Sequence, residues 1–293
     1  MARKAQNKIV VPTFKRRKSA GDAKPRIRLR LTKGLEKHKD EPLAILLSSG
    51  LDSNAVLFSA LELGMKPHIY SFTLDDREAR DFRIARQTAE TFGLKFTPIY
   101  LPTDLKKVKK GLISTVKELD ASGKSAIECL YAFKYAVDHI KEKNIVSGLA
   151  ADIYFVLSKK GCMHYKDCAD DYRIPRHATV KGPTSQTSKL RAYCKKKGKR
   201  WLSPWLTDQM MDEFRGTSWD DVNKPKQKNP IHVQYPEFLA HAKTYQHTNL
   251  QLGDSGISAL FTQLLDDPDW NPGRVYRSMT GVYNRLVRGE ITK

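Results

Sequence analysis

The stretch from Leu43 to Leu57, LAILLSSGLDSNAVL, constrains the fold more than any other part of the chain. Leu43 to Leu47 is a short unbroken apolar run, the pattern of a strand buried on both faces of a parallel sheet. Small hydroxyl residues and a glycine follow, and apolar residues at Val56, Leu57, Ala60 and Leu61 then carry a helix. Strand, tight turn and helix N-terminus together make an anion site. The first helical turn has unpaired N–H groups and a partial positive charge, and small side chains let a phosphate approach the backbone. Ser48, Ser49 and Ser53 add hydroxyl donors, while Asp52 suits a phosphate site only with a cation between them, which points to Mg²⁺. An ordinary N-capped turn contains the same residue types, so on pattern alone both readings stand.

The rest of the chain extends this unit into an alternating α/β pattern. His68 to Leu74 and Lys95 to Leu101 read as strands, the second bounded by prolines, and Asn144 to Gly148 as a fourth. Helical patterns over Arg77–Phe92, Leu105–Leu119 and Ser125–Lys143 lie between them. Strands separated by helices of this length predict a doubly wound parallel sheet with ligands beyond the carboxyl ends of its strands, where Ser48, Leu74 and Ser147 fall. Residues 158–200 interrupt the alternation as a basic, cysteine-containing insertion. Beyond Trp201 the pattern is mostly helical, closing near Val275–Val287 with Arg274, Arg277, Arg285 and Arg288 expected on an exposed face.

Ser48-Ser49-Gly50-Leu51-Asp52-Ser53 resembles the pyrophosphate-binding loop, Ser-Gly-Gly-x-Asp-Ser, of the N-type ATP pyrophosphatases, with Ser49 at the first glycine. Within that superfamily the chain is most similar to the synthetase domain of asparagine synthetase. Ser71-Phe72-Thr73-Leu74 matches its second strand, and Asp81 with Ala85 the helix after it. Ser147-Gly148-Leu149-Ala150-Ala151-Asp152 matches its Ser-Gly-Glu-Gly-x-Asp loop, and Pro204-Trp205-Leu206-Thr207-Asp208 its Pro-Phe-Leu-Asp segment. These pieces occur in the family's order over residues 41–260.

The resemblance implies a two-step reaction on ATP, in which a carboxylate is adenylated with loss of pyrophosphate and an amine then displaces AMP. It implies that the loop from Ser48 through Ser49, Gly50, Leu51 and Asp52 to Ser53 holds pyrophosphate, and that Leu47 and Leu74 bound the adenine. Ser147 and Gly148 would lie against the ribose and α-phosphate, and Asp52 and Asp152 would hold Mg²⁺. A lysine from the run 224–228, with Lys226 and Lys228 as candidates, would offset charge on the reacting phosphorus, although a solvated basic loop has the same composition. Two departures stand out. Leu149 replaces the glutamate that serves the family as general base toward ammonia, and Met1 leads into a basic segment where a glutaminase domain is expected.

Charge adds a second theme. The chain carries a formal +20, and residues 1–40 hold 14 Lys and Arg against 3 Asp and Glu. An extended or disordered arm there, followed by a single domain over 41–293, is the expectation, with Arg26, Arg28 and Arg30 alternating as on an edge strand. Such charge suits a polyanion, so the arm reads either as a nucleic-acid contact or as a solubilising tail. No apolar run is long enough to span a membrane, no secretory signal is visible, and four cysteines form no disulfide framework; a cytoplasmic protein follows as the expectation. Cys162, His164, Cys168 and Cys194 could supply a zinc set, though their irregular spacing, with no paired C-x-x-C, fits free thiols better. Three functions remain open: an amide ligase acting on an unknown carboxylate and amine, an enzyme adenylating a base in RNA or DNA, and a catalytically decayed nucleotide-binding module.

Overall fold

In a computed structural model of the chain, residues 25–245 and 255–292 are described. Five parallel strands form one sheet: β1 (Leu43–Leu46), β2 (His68–Leu74), β3 (Phe96–Leu101), β4 (Asn144–Ser147) and β5 (Arg200–Leu202), in the order β3-β2-β1-β4-β5. Ile45 of β1 pairs with Ile69 of β2 on one side and with Val146 of β4 on the other. Alternation along β1 sends Ala44 and Leu46 into a cluster with Tyr70, Ile99 and Trp201, and Leu43, Ile45 and Leu47 into a second cluster on the opposite face. Both faces are therefore covered, which is why β1 is apolar at every position. Pro98 lies inside β3 rather than at its margin, and it is tolerated there because β3 is an edge strand.

The chain before β1 corrects the expectation of an extended arm. Ile27–Glu36 forms a helix, α1, whose Ile27, Leu31 and Leu35 are completely buried. Spacing at i, i+4 and i+8 outweighs the alternating arginines, because burying one apolar stripe is worth several kcal/mol, of order 1.5–3 per side chain. The arginines hold the helix in place. Arg26 and Arg30 converge on Glu213 at 2.9 and 2.5 Å, and Arg28 reaches Glu62 and Glu237 at 2.8 and 2.7 Å. The remainder of the arm, residues 1–24, lies outside the described residues.

Helices α2 (Leu51–Glu62) and α3 (Arg80–Thr91) follow β1 and β2, and α4 (Leu105–Leu119) and α5 (Lys124–His139) lie between β3 and β4. After β4 come α6 (Asp152–Phe155), α7 (Lys159–Tyr165), α8 (Ala169–Lys181) and α9 (Gln186–Lys196). Residues 158–200 are thus not an appendage: Leu190, Tyr193 and Cys194 of α9 are buried in the sheet-facing cluster, and α9 runs directly toward β5. At that junction the Lys199 ammonium donates to the Ile140 carbonyl at the end of α5, where a cation complements the helix dipole.

Helices α10 (Asp208–Phe214), α11 (Trp219–Asn223), α12 (Asn229–Gln234) and α13 (Pro236–Leu239) complete the α1/α2 face, and α14 (Ile257–Thr262) and α15 (Met279–Val287) the other. Arg285 is not on an open face, since its guanidinium donates to the Trp270 carbonyl at 2.8 Å and pairs with Glu290. Arg288 also pairs with Glu290. Among the described residues no helix is long and apolar enough to cross a membrane.

Candidate active site

The order of the sheet places its topological switch between β1 and β4, where connections leave in opposite directions and open a crevice beyond the strand ends. The loop from Ser48 to Ser53 emerges from β1 at this point and turns into α2, with Gly50 in extended backbone as N-cap. The loop is braced from within. Ser53 Oγ accepts from the Ser48 amide at 3.2 Å and lies 2.9 Å from Ser48 Oγ, and the Asn54 side-chain amide donates to the Ser48 and Gly50 carbonyls. Ser49 explains its own departure from glycine: its amide and its hydroxyl both donate to Asp81 at the start of α3. Gly50, the N-cap of α2, has no side chain to cap its first turn, and the amide end of the helix faces the crevice.

Gly148, just after β4, lies directly on this turn. A Cβ there would stand 2.5 Å from the Ser53 nitrogen and 2.8 Å from the Asp52 carbonyl carbon, so only glycine fits. The expectation that Gly148 touches nucleotide is therefore joined by a structural task, which is to let the β4 loop pack on the phosphate turn. Ala150, two residues on, has φ 79°, a left-handed conformation occupied by glycine in the Ser-Gly-Glu-Gly-x-Asp pattern. Leu149 packs against the sheet-facing apolar cluster and brings no proton acceptor to its position.

Three charged groups meet in front of the loop. The Lys228 ammonium donates to Asp52 Oδ2 at 2.6 Å and to Asp152 Oδ1 at 2.8 Å. The Phe155 ring lies beneath it, 5.5 Å from Nζ. Burial alone would lower the affinity of this ammonium for its proton, but Asp52 and Asp152 more than reverse that and raise its pKa above the ordinary lysine value. Lys226, the other lysine candidate, is exposed. The backbone of Lys228 is itself held, its amide donating to Asn223 Oδ1 while Asn223 Nδ2 donates to the Phe155 carbonyl at 2.9 Å. From below, Trp205 of the Pro204–Asp208 segment donates through Nε1 to the Asp52 carbonyl, and Tyr154 OH donates to the Trp205 carbonyl at 2.6 Å.

Other expectations fare differently. Leu47 and Leu74 end adjacent strands, and their side chains join apolar clusters on opposite faces of the sheet. Ser147 uses its hydroxyl to accept the Leu149 amide at 3.1 Å. Cys162 donates to the Val156 carbonyl, Cys168 is exposed and Cys194 is buried in the core; among the described residues no group of three or more metal ligands comes together. Sequence reasoning missed Asn223 and Tyr245, whose amide donates to the Ser49 carbonyl and whose ring lies 4.1 Å from the Arg80 guanidinium. Neither carries a local signal, since each acts through a contact distant in sequence.

A parallel sheet with a small-residue loop at the switch point, opening a helix and facing two carboxylates and a lysine, defines a nucleotide-binding domain of the N-type ATP pyrophosphatase class. The chain belongs to the asparagine synthase family, which it matches over residues 27–256 and whose members use ATP. That match begins with α1, in accord with the helix being part of the domain. No curated protein matches the chain. One solved structure to which it is similar is described as a "predicted subunit of tRNA methyltransferase" from Methanocaldococcus jannaschii. It shares 17% identity, with 58% of this chain and 93% of that one covered and a TM-score of 0.28.

Proposed function

We propose that the protein is an AMP-forming ligase: a substrate carboxylate oxygen attacks the α-phosphorus of ATP, the bond to the β-phosphate breaks, and pyrophosphate leaves. An amine then attacks the acyl carbon of the adenylate to give an amide and AMP. The observation that carries this reading is the meeting of Asp52, Asp152 and Lys228 beside the open first turn of α2. The turn offers amides and a helix dipole to the departing pyrophosphate. Lys228, charged throughout the physiological range, offsets negative charge growing on the transferring phosphorus. Asp52 and Asp152 present hard carboxylate oxygens to one point, a donor set that fits Mg²⁺, and these two residues would hold it. When bound, the ion would neutralise phosphate charge and polarise the phosphoryl group under attack. Leu149 supports an amine other than free ammonia, because an apolar side chain cannot take the proton that ammonia must lose.

The test is pyrophosphate release from ATP over panels of carboxylates and amines. Asp52→Ala should lower the rate by about two orders of magnitude or more while leaving the thermal transition nearly unchanged. Equal rates in the two proteins would reject the reading. A second reading, adenylation of a base in a nucleic acid, is favoured by Lys106, Lys110 and Lys117, which are exposed on α4 and take part in none of the ion pairs among the described residues. Stimulation of pyrophosphate release by RNA or DNA instead of small carboxylates would decide for it.

A further inference from the structure

We propose that the Lys228 ammonium is a built-in place-holder for the metal, so that a divalent cation enters the Asp52–Asp152 site only together with a nucleotide. The inference deepens the ligase reading and rests on it for the identity of the nucleotide. Two carboxylates converging on one point repel each other unless a cation lies between them. Here that cation is part of the chain, at 2.6 Å from one carboxylate and 2.8 Å from the other. Its side chain is only 15% exposed. Its seat is built by the fold, with the Lys228 backbone held by Asn223, and Asn223 in turn held by the carbonyls of Phe155 and Trp219.

The consequence follows from charge. The ammonium puts a positive charge between the two carboxylates, which weakens the pull of that point on a free divalent ion. A metal arriving alone must displace the ammonium from both carboxylates and then sit near it as a like charge. A triphosphate changes both terms. It brings its own negative charge to the first turn of α2, gives the displaced ammonium a new partner, and supplies further oxygens to the ion. Metal and nucleotide therefore bind as a unit, and the empty site stays closed to free cation.

Manganese serves as the probe, read by its electron paramagnetic resonance signal and by calorimetry, with and without a non-hydrolysable ATP analogue. The unmodified protein should bind free Mn²⁺ at least tenfold more weakly than it does with the analogue present. Lys228→Gln should gain at least tenfold in affinity for Mn²⁺ alone, and the double variant Lys228→Gln, Asp152→Asn should lose that gain, locating it between the two carboxylates. Thermal melts establish that each variant is folded, and Lys228→Met provides a second neutral side chain. Free Mn²⁺ binding the unmodified protein as tightly as it does with the analogue would overturn the proposal. So would a Lys228→Gln affinity within twofold of the original. If the analogue does not bind at all, the ligase reading fails, whereas the gain in free-metal affinity still judges the place-holder on its own.

Discussion

At Gly148 a single methyl group separates a working loop from a displaced one. The Cβ of an alanine would meet backbone atoms of Asp52 and Ser53, which cannot swing aside as a flexible side chain would. Gly148→Ala should therefore cost about 1–3 kcal/mol of stability and weaken ATP binding by more than its loss of stability explains; urea unfolding and nucleotide titration measure the two separately. Ala150 is the complementary case, a non-glycine residue at φ 79°. Relief of left-handed strain is worth about 1–2 kcal/mol, and the greater freedom of glycine in the unfolded chain takes back about 0.4–1 kcal/mol. Ala150→Gly should raise the unfolding free energy by between about 0 and about 1.6 kcal/mol, read as an unchanged or higher urea midpoint, and a lowered midpoint would contradict this account of the loop.

Among the elements, α1 depends most on a buried charge. Glu213 has a side chain 1% exposed. Its burial pushes the carboxyl pKa up, but hydrogen bonds from Arg26 and Arg30 outweigh that and bring it down to about 2. A folded-state value below the unfolded one means that the stabilisation is fully present above the ordinary glutamate value of about 4.3 and is lost as the pH falls through about 2. Stability measured by urea unfolding should thus decline over this acid window. Glu213→Gln should remove part of that decline and cost about 2–3 kcal/mol at neutral pH. Parallel curves for the two proteins would show that Arg26 and Arg30 do not clamp α1 through this carboxylate. The far side of the site depends on a similar fastening. Val156 ends α6 with φ 52°, and its carbonyl accepts from Trp219 Nε1 at 3.3 Å while that of Phe155 accepts from Asn223. Through these contacts α11 sets where both Asp152 and Lys228 stand.

For the whole molecule, charge is the property that no single element owns. Three arginines of the expected arm are committed to Glu213, Glu62 and Glu237, so α1 has little charge left for a polyanion. Residues 1–24 carry 8 Lys and Arg against one Asp, and most of the +20 resides in the rest of the chain. RNA binding, measured by filter retention, should weaken by roughly three decades between about 50 and 200 mM salt if about six phosphates are neutralised. Replacing Lys106, Lys110 and Lys117 by glutamine should make that dependence shallower by up to three phosphates, about 0.9 in logarithmic slope for each. Arg28→Ala should act on stability instead. Unchanged slopes in the triple variant would remove α4 from any nucleic-acid contact.

The parallel sheet, the loop at the end of β1 and the ATP-using family were legible in the sequence because each depends on local order. An apolar run reads as a doubly buried strand, small residues must surround a phosphate, and the motifs recur in sequence along the chain. The same motifs led to the expectation that Asp52 and Asp152 share a site. That Lys228 is the lysine that meets them could not be read, because it depends on where Asn223 and Phe155 hold a loop more than 170 residues from Asp52. The docking of α1 was hidden as well, since its arginines take their meaning from glutamates on α2, α10 and α13. Sequence by itself determined the first four strands of the sheet and what chemistry the loop suits, as both follow from neighbours in the chain. Tertiary structure decided which charges meet, because an ion pair is set by distance in space, and pattern along the chain carries no record of that distance.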